Sequence, residues 1–137
     1  MNCYFDEEDY AKNEMDYYYN EDHTKIAVLV SHGFGAGWST WNDERLSYDK
    51  RVVELWLDHN TVEFCRRVDA HSSFHPTAEG EIVNNFLESC GYQDTYLGGY
   101  ADIQLEWVNR GVPFRIHEYD GAESIETFDD AGFKVIN

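Results

Sequence analysis

The seven-residue run Lys25–Ser31, KIAVLVS, constrains this chain more than any other segment. It is continuously apolar and rich in β-branched residues, so it predicts a strand buried on both faces. A glycine-rich loop follows, His32 to Asn42, reading HGFGAGWSTWN. Beyond it an amphipathic helix is expected over about Tyr48 to His59. Ser47 is its predicted N-cap, and Val52, Val53, Trp56 and Leu57 form its apolar stripe. Thr61 to Val68 reads equally as helix or strand. A second helix is expected over about Ala78 to Cys90, capped by the Thr77 hydroxyl on the amide of Gly80 or Glu79. Ala78, Ile82, Phe86 and Cys90 recur at four-residue spacing there, with Val83 and Leu87 beside them. Gly91 stands where a terminating left-handed residue belongs.

The last third alternates as strands do. Ile103, Leu105 and Trp107 fall on one face, and Asp102, Gln104 and Glu106 on the other. Asn109-Arg110-Gly111 reads as a hairpin turn, Val112 to Tyr119 as the next strand, and Asp120-Gly121 as a second turn. Ser124 to Phe128 and Phe133 to Ile136 complete a β-meander. The expected fold is therefore α+β: an antiparallel or mixed sheet with two helices packed on one face. Its predicted core holds Val28, Leu29, Val52, Trp56, Ile82, Phe86, Ile103, Leu105 and Trp107. The 137 residues suit one domain over 25–137, preceded by an acidic, tyrosine-rich arm over 1–24 that is read either as frayed or as a helix from about Glu7 to Tyr19.

Charge narrows the functional classes. Twenty-seven acids against ten bases give a net charge of −17. Such a surface repels nucleic acid and anionic membranes and is drawn to basic surfaces, of which nucleic-acid-binding grooves are the most abundant. The plainer alternative is that the charge serves solubility. Cys3, Cys65 and Cys90 are an odd set and read as free thiols of a reducing compartment. The N-terminus lacks the basic and apolar regions of a leader, and the longest apolar run, Ile26 to Val30, is too short to cross a bilayer. A cytoplasmic location is expected.

Few motifs carry chemistry. Gly33-Phe34-Gly35-Ala36-Gly37 after a strand only partly fits a dinucleotide fingerprint: the third glycine comes early, no helix starts at the loop, and the acidic residue of a second parallel strand is missing. The loop is read either as a tight connection or as a ligand-facing segment. In the second case Gly33, Gly35, Gly37, Trp38, Trp41 and Tyr100 would hold a small molecule such as a nucleotide signal. His71 and His75 are four apart, but Ser72, Ser73 and Pro76 place them in a loop, so no metal site is expected, and no cofactor. Ser31 and His32 are adjacent on a strand and point apart, so they make no dyad. Glu106, Arg115, His117 and Tyr119 occupy alternating positions. They form either a solvated face of cross-strand charge pairs or a place where Glu106 and His117 act as acid and base.

The acid–tyrosine block is the most unusual feature. Carboxylates a few ångströms apart can imitate phosphate spacing, and interleaved rings can stack on arginines that otherwise hold bases. Asp6, Glu7, Glu8, Asp9, Tyr17, Tyr18 and Tyr19, with Asp102 and Glu106 on the folded domain, are the candidate partner-binding residues. The segments KIAVLVSHGFGAGWSTWN, LSYDKRVVELWL and YLGGYADIQLEWVNRGVPFRIHEYDGAESI resemble a family of small accessory proteins carried by bacteriophages and prophages, over about residues 25–126. That resemblance implies an anti-CRISPR-like or anti-restriction-like inhibitor acting in the bacterial host's cytoplasm. It would mask a basic surface of a defence protein, without binding nucleic acid or membrane, and it supplies no catalytic residue.

Overall fold

The computed structural model describes residues 17–129 and 132–136, with side chains described up to Thr127. The order is strand β1 (Lys25–Ser31), helices α1 (Lys50–Asp58), α2 (Val62–Asp69) and α3 (Ala78–Ser89), then strands β2 (Ile103–Asn109), β3 (Phe114–Tyr119), β4 (Ala122–Asp129) and β5 (Gly132–Ile136). Short 3-10 turns at Ser39–Trp41, Glu44–Ser47 and Tyr100–Asp102 link them. The fold is α+β, as its alternation and helical stripes predict.

β1 and β2 pair antiparallel, from Lys25 opposite Asn109 to Ser31 opposite Ile103. β3, β4 and β5 form a separate antiparallel meander. β1 is buried on both faces, and its alternation explains how. Ala27 and Leu29 pack with the helices in a core that includes Val52, Val53, Val68, Val83 and Leu87. Ile26, Val28 and Val30 pack instead with Val108, Ile125, Phe114 and Ile116. The result is three layers: helices, the β1–β2 ribbon, and the meander.

Each helix begins at a side-chain cap. Asp49 accepts from the Arg51 amide at 2.9 Å, Thr61 from Phe64 at 3.2 Å and Thr77 from Gly80 at 3.0 Å. The first differs from the expected Ser47 cap; the Ser47 hydroxyl donates to the Glu44 carbonyl instead. The ambiguous Thr61–Val68 segment is α2. Gly91 ends α3 with φ 98°, as its position predicts.

Three expectations need correcting. Ile82 is exposed and Phe86 only half buried, because α3 buries the face through Gly80, Val83 and Leu87. A Cβ on Gly80 would lie 2.2 Å from the His71 side chain, so this glycine sets how closely α3 approaches and which face it turns inward. Trp107 is also 40% exposed; it lies at the rim, tilted against Tyr18, and the two rings close over the small Ala27 between them. Finally, β2 and β3 do not form a hairpin. Pro113 has no amide to give a ladder, and the chain turns from one layer into the next, so that Val108 and Phe114 share a core rather than a sheet. The Asp120-Gly121 turn does close a hairpin, with φ positive at both residues (50° and 89°).

Candidate functional site

The glycine-rich loop is folded around a buried carboxylate. Glu123 is 2% exposed and points inward from β4, two residues before the core residue Ile125. Its Oε1 accepts from the Ser31 amide at 2.8 Å. Its Oε2 accepts from the amides of Trp38 at 2.7 Å and Thr40 at 3.1 Å, and from the Thr40 hydroxyl at 2.5 Å. Four donors offset the cost of removing this charge from water. The loop is also pinned at its tip, where the Gly35 amide donates to the Asp120 carbonyl at 2.6 Å. A Cβ on Gly121 would stand 2.3 Å from the Ala36 nitrogen, and one on Gly99 would stand 2.7 Å from the Ala36 oxygen. Both glycines have positive φ, so both turns need them.

The aromatic residues considered as ligand contacts lie in different surroundings. Trp38 is fully buried and Tyr100 nearly so, and their rings meet edge to face with centroids 5.5 Å apart. Burial raises the Tyr100 phenol pKa. Trp41 is at the surface, stacked on Tyr96, and donates from Nε1 to Glu118 at 3.3 Å. Of the loop amides, those of Gly35, Trp38 and Thr40 are therefore occupied by groups of the chain itself.

Glu106 meets His32 rather than His117. Its carboxylate, carried opposite Val28 in the middle of the β1–β2 ladder, lies 2.8 Å from His32 Nε2 beyond the end of β1. His117 is in the other sheet, opposite Ser124. Arg115 donates to Glu126 at 2.7 Å, the cross-strand charge pair that alternation allows. His71 accepts the Thr77 amide on Nδ1 at 2.9 Å, and His75 is exposed. Among the described residues no three or more His, Cys, Asp or Glu side chains converge as metal ligands. Cys65 is buried, which raises its thiol pKa, and Cys90 is partly buried; both are free.

Of the candidate partner-binding residues, Asp6, Glu7, Glu8 and Asp9 lie outside the described residues. Tyr17, Tyr18 and Tyr19 run along the free side of β1, where the Ala27 amide donates to the Tyr18 carbonyl at 2.8 Å and Tyr19 bridges to Ile26. Tyr18 packs toward the helical core, and Tyr17 and Tyr19 toward the inter-sheet core. Their rings are therefore partly used by the fold. Asp102 is exposed just before β2.

Four of the six arginines sit on carboxylates of the described residues. Arg45 sits on Asp43 (2.7 Å), Arg51 on Asp49 (2.8 Å), Arg67 on Glu63 (3.1 Å) and Arg115 on Glu126 (2.7 Å). The Arg45 hydrogen bond holds the Asp43 carboxyl below its ordinary range. Burial pushes Asp49 upward, but hydrogen bonds from Arg51 and from the Tyr92 hydroxyl outweigh it and leave the carboxyl below its ordinary value. By contrast, Glu54, Asp58, Glu88, Asp94, Asp102 and Asp120 are exposed and have no ion pair among the described residues.

Sequence reasoning missed Glu123 and the His32–Glu106 pair. The first had a signal: alternation from Ile125 puts an acid on the inward face, which requires donors, and a nearby glycine loop supplies free amides. The second had none, because it depends on the β1–β2 register. No helix among the described residues is long and apolar enough to cross a membrane. No family model, curated protein or solved structure matches the chain.

Proposed function

We propose that this chain is an anionic binding protein that occupies a basic, nucleic-acid-binding surface of a protein partner in place of nucleic acid. The supporting observation is how charge is divided. Four arginines are each held on a carboxylate of the same chain, and three of those carboxylates, Asp43, Asp49 and Glu126, already cap a helix or lie buried in the fold. The exposed acids are left to set the outer field of a chain whose net charge is −17. A field of one sign attracts an oppositely charged groove over roughly a Debye length, about 10 Å at 0.1 M salt. The phage-protein resemblance supports a narrower form of the same reading: an inhibitor of a host defence protein, such as a CRISPR nuclease, acting in the bacterial cytoplasm.

The experiment is a salt series. Association with the captured partner should slow steeply as salt rises, with dissociation changing less, because exposed charges steer encounter more than they anchor a complex. An association rate that does not respond to salt would remove charge as the basis of binding.

A further inference from the structure

The outer edge of β2 has a hydrogen-bonding ladder with no partner among the described residues. The register fixes which groups lie there. The His32 amide donates to the Asp102 carbonyl and the Arg110 amide to the Thr24 carbonyl, at 3.2 and 2.9 Å, and both pairs continue the β1–β2 register. Bonded and unbonded pairs alternate in an antiparallel ladder. The bonded pairs are therefore those of Ile26 with Val108, Val28 with Glu106 and Val30 with Gln104. Leu105 and Trp107 consequently turn both their amides and their carbonyls away from β1. Among the described residues β2 is the last strand of its sheet.

Natural edge strands are commonly blunted by lysine, proline, a bulge or shortness. β2 reads IQLEWVN over seven residues, without lysine, proline or bulge, and its one charged side chain, Glu106, is taken up by His32. Asp102 is exposed at the start of this edge, while the Trp107 ring leans the other way, across β1 toward Tyr18. Arg110, past its end, is turned toward the other side of the ribbon, with its guanidinium 4.6 Å from the Tyr19 ring centre and donating to the His23 carbonyl. Main-chain groups without a partner among the described residues, on a chain whose net charge is −17, together describe a strand-addition site for a basic segment.

We propose that the β2 edge takes an extended, lysine- or arginine-rich segment of the partner as an added strand. The inference rests on the anionic-docking reading above and supplies its binding mode. Charge selects the occupant: two copies of a chain at −17 repel one another edge to edge, whereas a basic segment is attracted.

The probe is a ten-residue peptide of alternating lysine and valine. It is compared with a glutamate-for-lysine version and with a version in which every amide is N-methylated. Hydrogen exchange is followed at the amides of Leu105 and Trp107. The lysine peptide should bind and slow exchange at both amides at least about tenfold. N-methylation should weaken binding at least about tenfold, since it removes the bonds to the ladder. The glutamate version should not bind. Leu105→Pro, which removes an outward-facing amide together with a side chain packed against the helical core, should weaken the lysine peptide similarly, with circular dichroism reporting that the variant is folded; the N-methylated peptide makes the same test on the unaltered protein. Binding that N-methylation does not weaken and that leaves exchange at Leu105 and Trp107 unchanged would overturn strand addition and leave charge-driven docking intact. No binding of the lysine peptide even at low salt would overturn both. A dimer of this chain that Leu105→Pro dissociates would put a second copy on the edge and also overturn the proposal.

Discussion

Glu123 and Asp120 are three residues apart, the first on β4 and the second in the tight turn that leads into it, and they do different work. Glu123 is enclosed and receives four hydrogen bonds that hold the glycine-rich loop to the meander. The Asp120 side chain is exposed, and only its carbonyl is used, by Gly35. The same division runs through the molecule: Asp49, Glu123 and Glu126 are buried and bonded, whereas Glu54, Asp94 and Asp102 face solvent. A net charge therefore says little until it is divided into carboxylates that hold the fold and carboxylates that remain outside it. Only the second group can attract a partner.

The largest effect should come from removing the enclosed carboxylate. Glu123→Ala leaves the amides of Ser31, Trp38 and Thr40 without an acceptor and should destabilise the protein by about 3–5 kcal/mol. Asp120→Asn should change stability by less than about 0.5 kcal/mol. Denaturant unfolding of the two variants checks the contrast, and equal losses would break it.

The next comparison concerns the two faces of α3. Leu87→Ala should cost about 2–5 kcal/mol and Ile82→Ala less than about 1 kcal/mol, measured the same way. The sequence shows why this distinction was hard to read. Ala78, Ile82, Phe86 and Cys90 make as good a stripe as Gly80, Val83 and Leu87, and periodicity cannot rank two adjacent apolar faces. The choice depends on the fit of Gly80 against His71, a contact between segments that no local pattern encodes. β1 was legible because a strand buried on both sides leaves a continuous apolar run, and the Thr77 and Gly91 helix ends were legible because caps are local chemistry. The pairing of β2 with β1, seventy-odd residues away, was not legible, and neither was the His32–Glu106 contact that follows from it.

A smaller effect should appear at Asp49. Its folded carboxyl lies below its unfolded value, about 3.9 for aspartate. The stability it contributes is therefore complete above that value and is lost as pH falls through the lower folded value. Asp49→Asn keeps a competent helix cap and should cost about 1 kcal/mol at neutral pH. The deficit should close as the wild-type carboxyl protonates, and a deficit that stays constant across the acid limb would assign the effect to shape rather than charge.

The smallest effect on stability, and the largest on binding, should come from the outer acids. Neutralising Asp94, Asp102 and Asp120 together to asparagine should leave unfolding within about 0.5 kcal/mol of wild type while slowing association with a basic partner. A loss of stability matching the loss of binding would erase the distinction between the two groups of carboxylates.

The most direct test is competition. Protein captured from a bacterial lysate on the immobilised chain at about 0.05 M salt is challenged with labelled DNA and RNA duplexes, and the capture is repeated at about 0.5 M, where charges are screened over a few ångströms. The account predicts that the captured protein binds nucleic acid, that the chain and the duplex displace one another, and that capture fails at the higher salt. A partner that persists at the higher salt and holds the chain and a duplex together would contradict it.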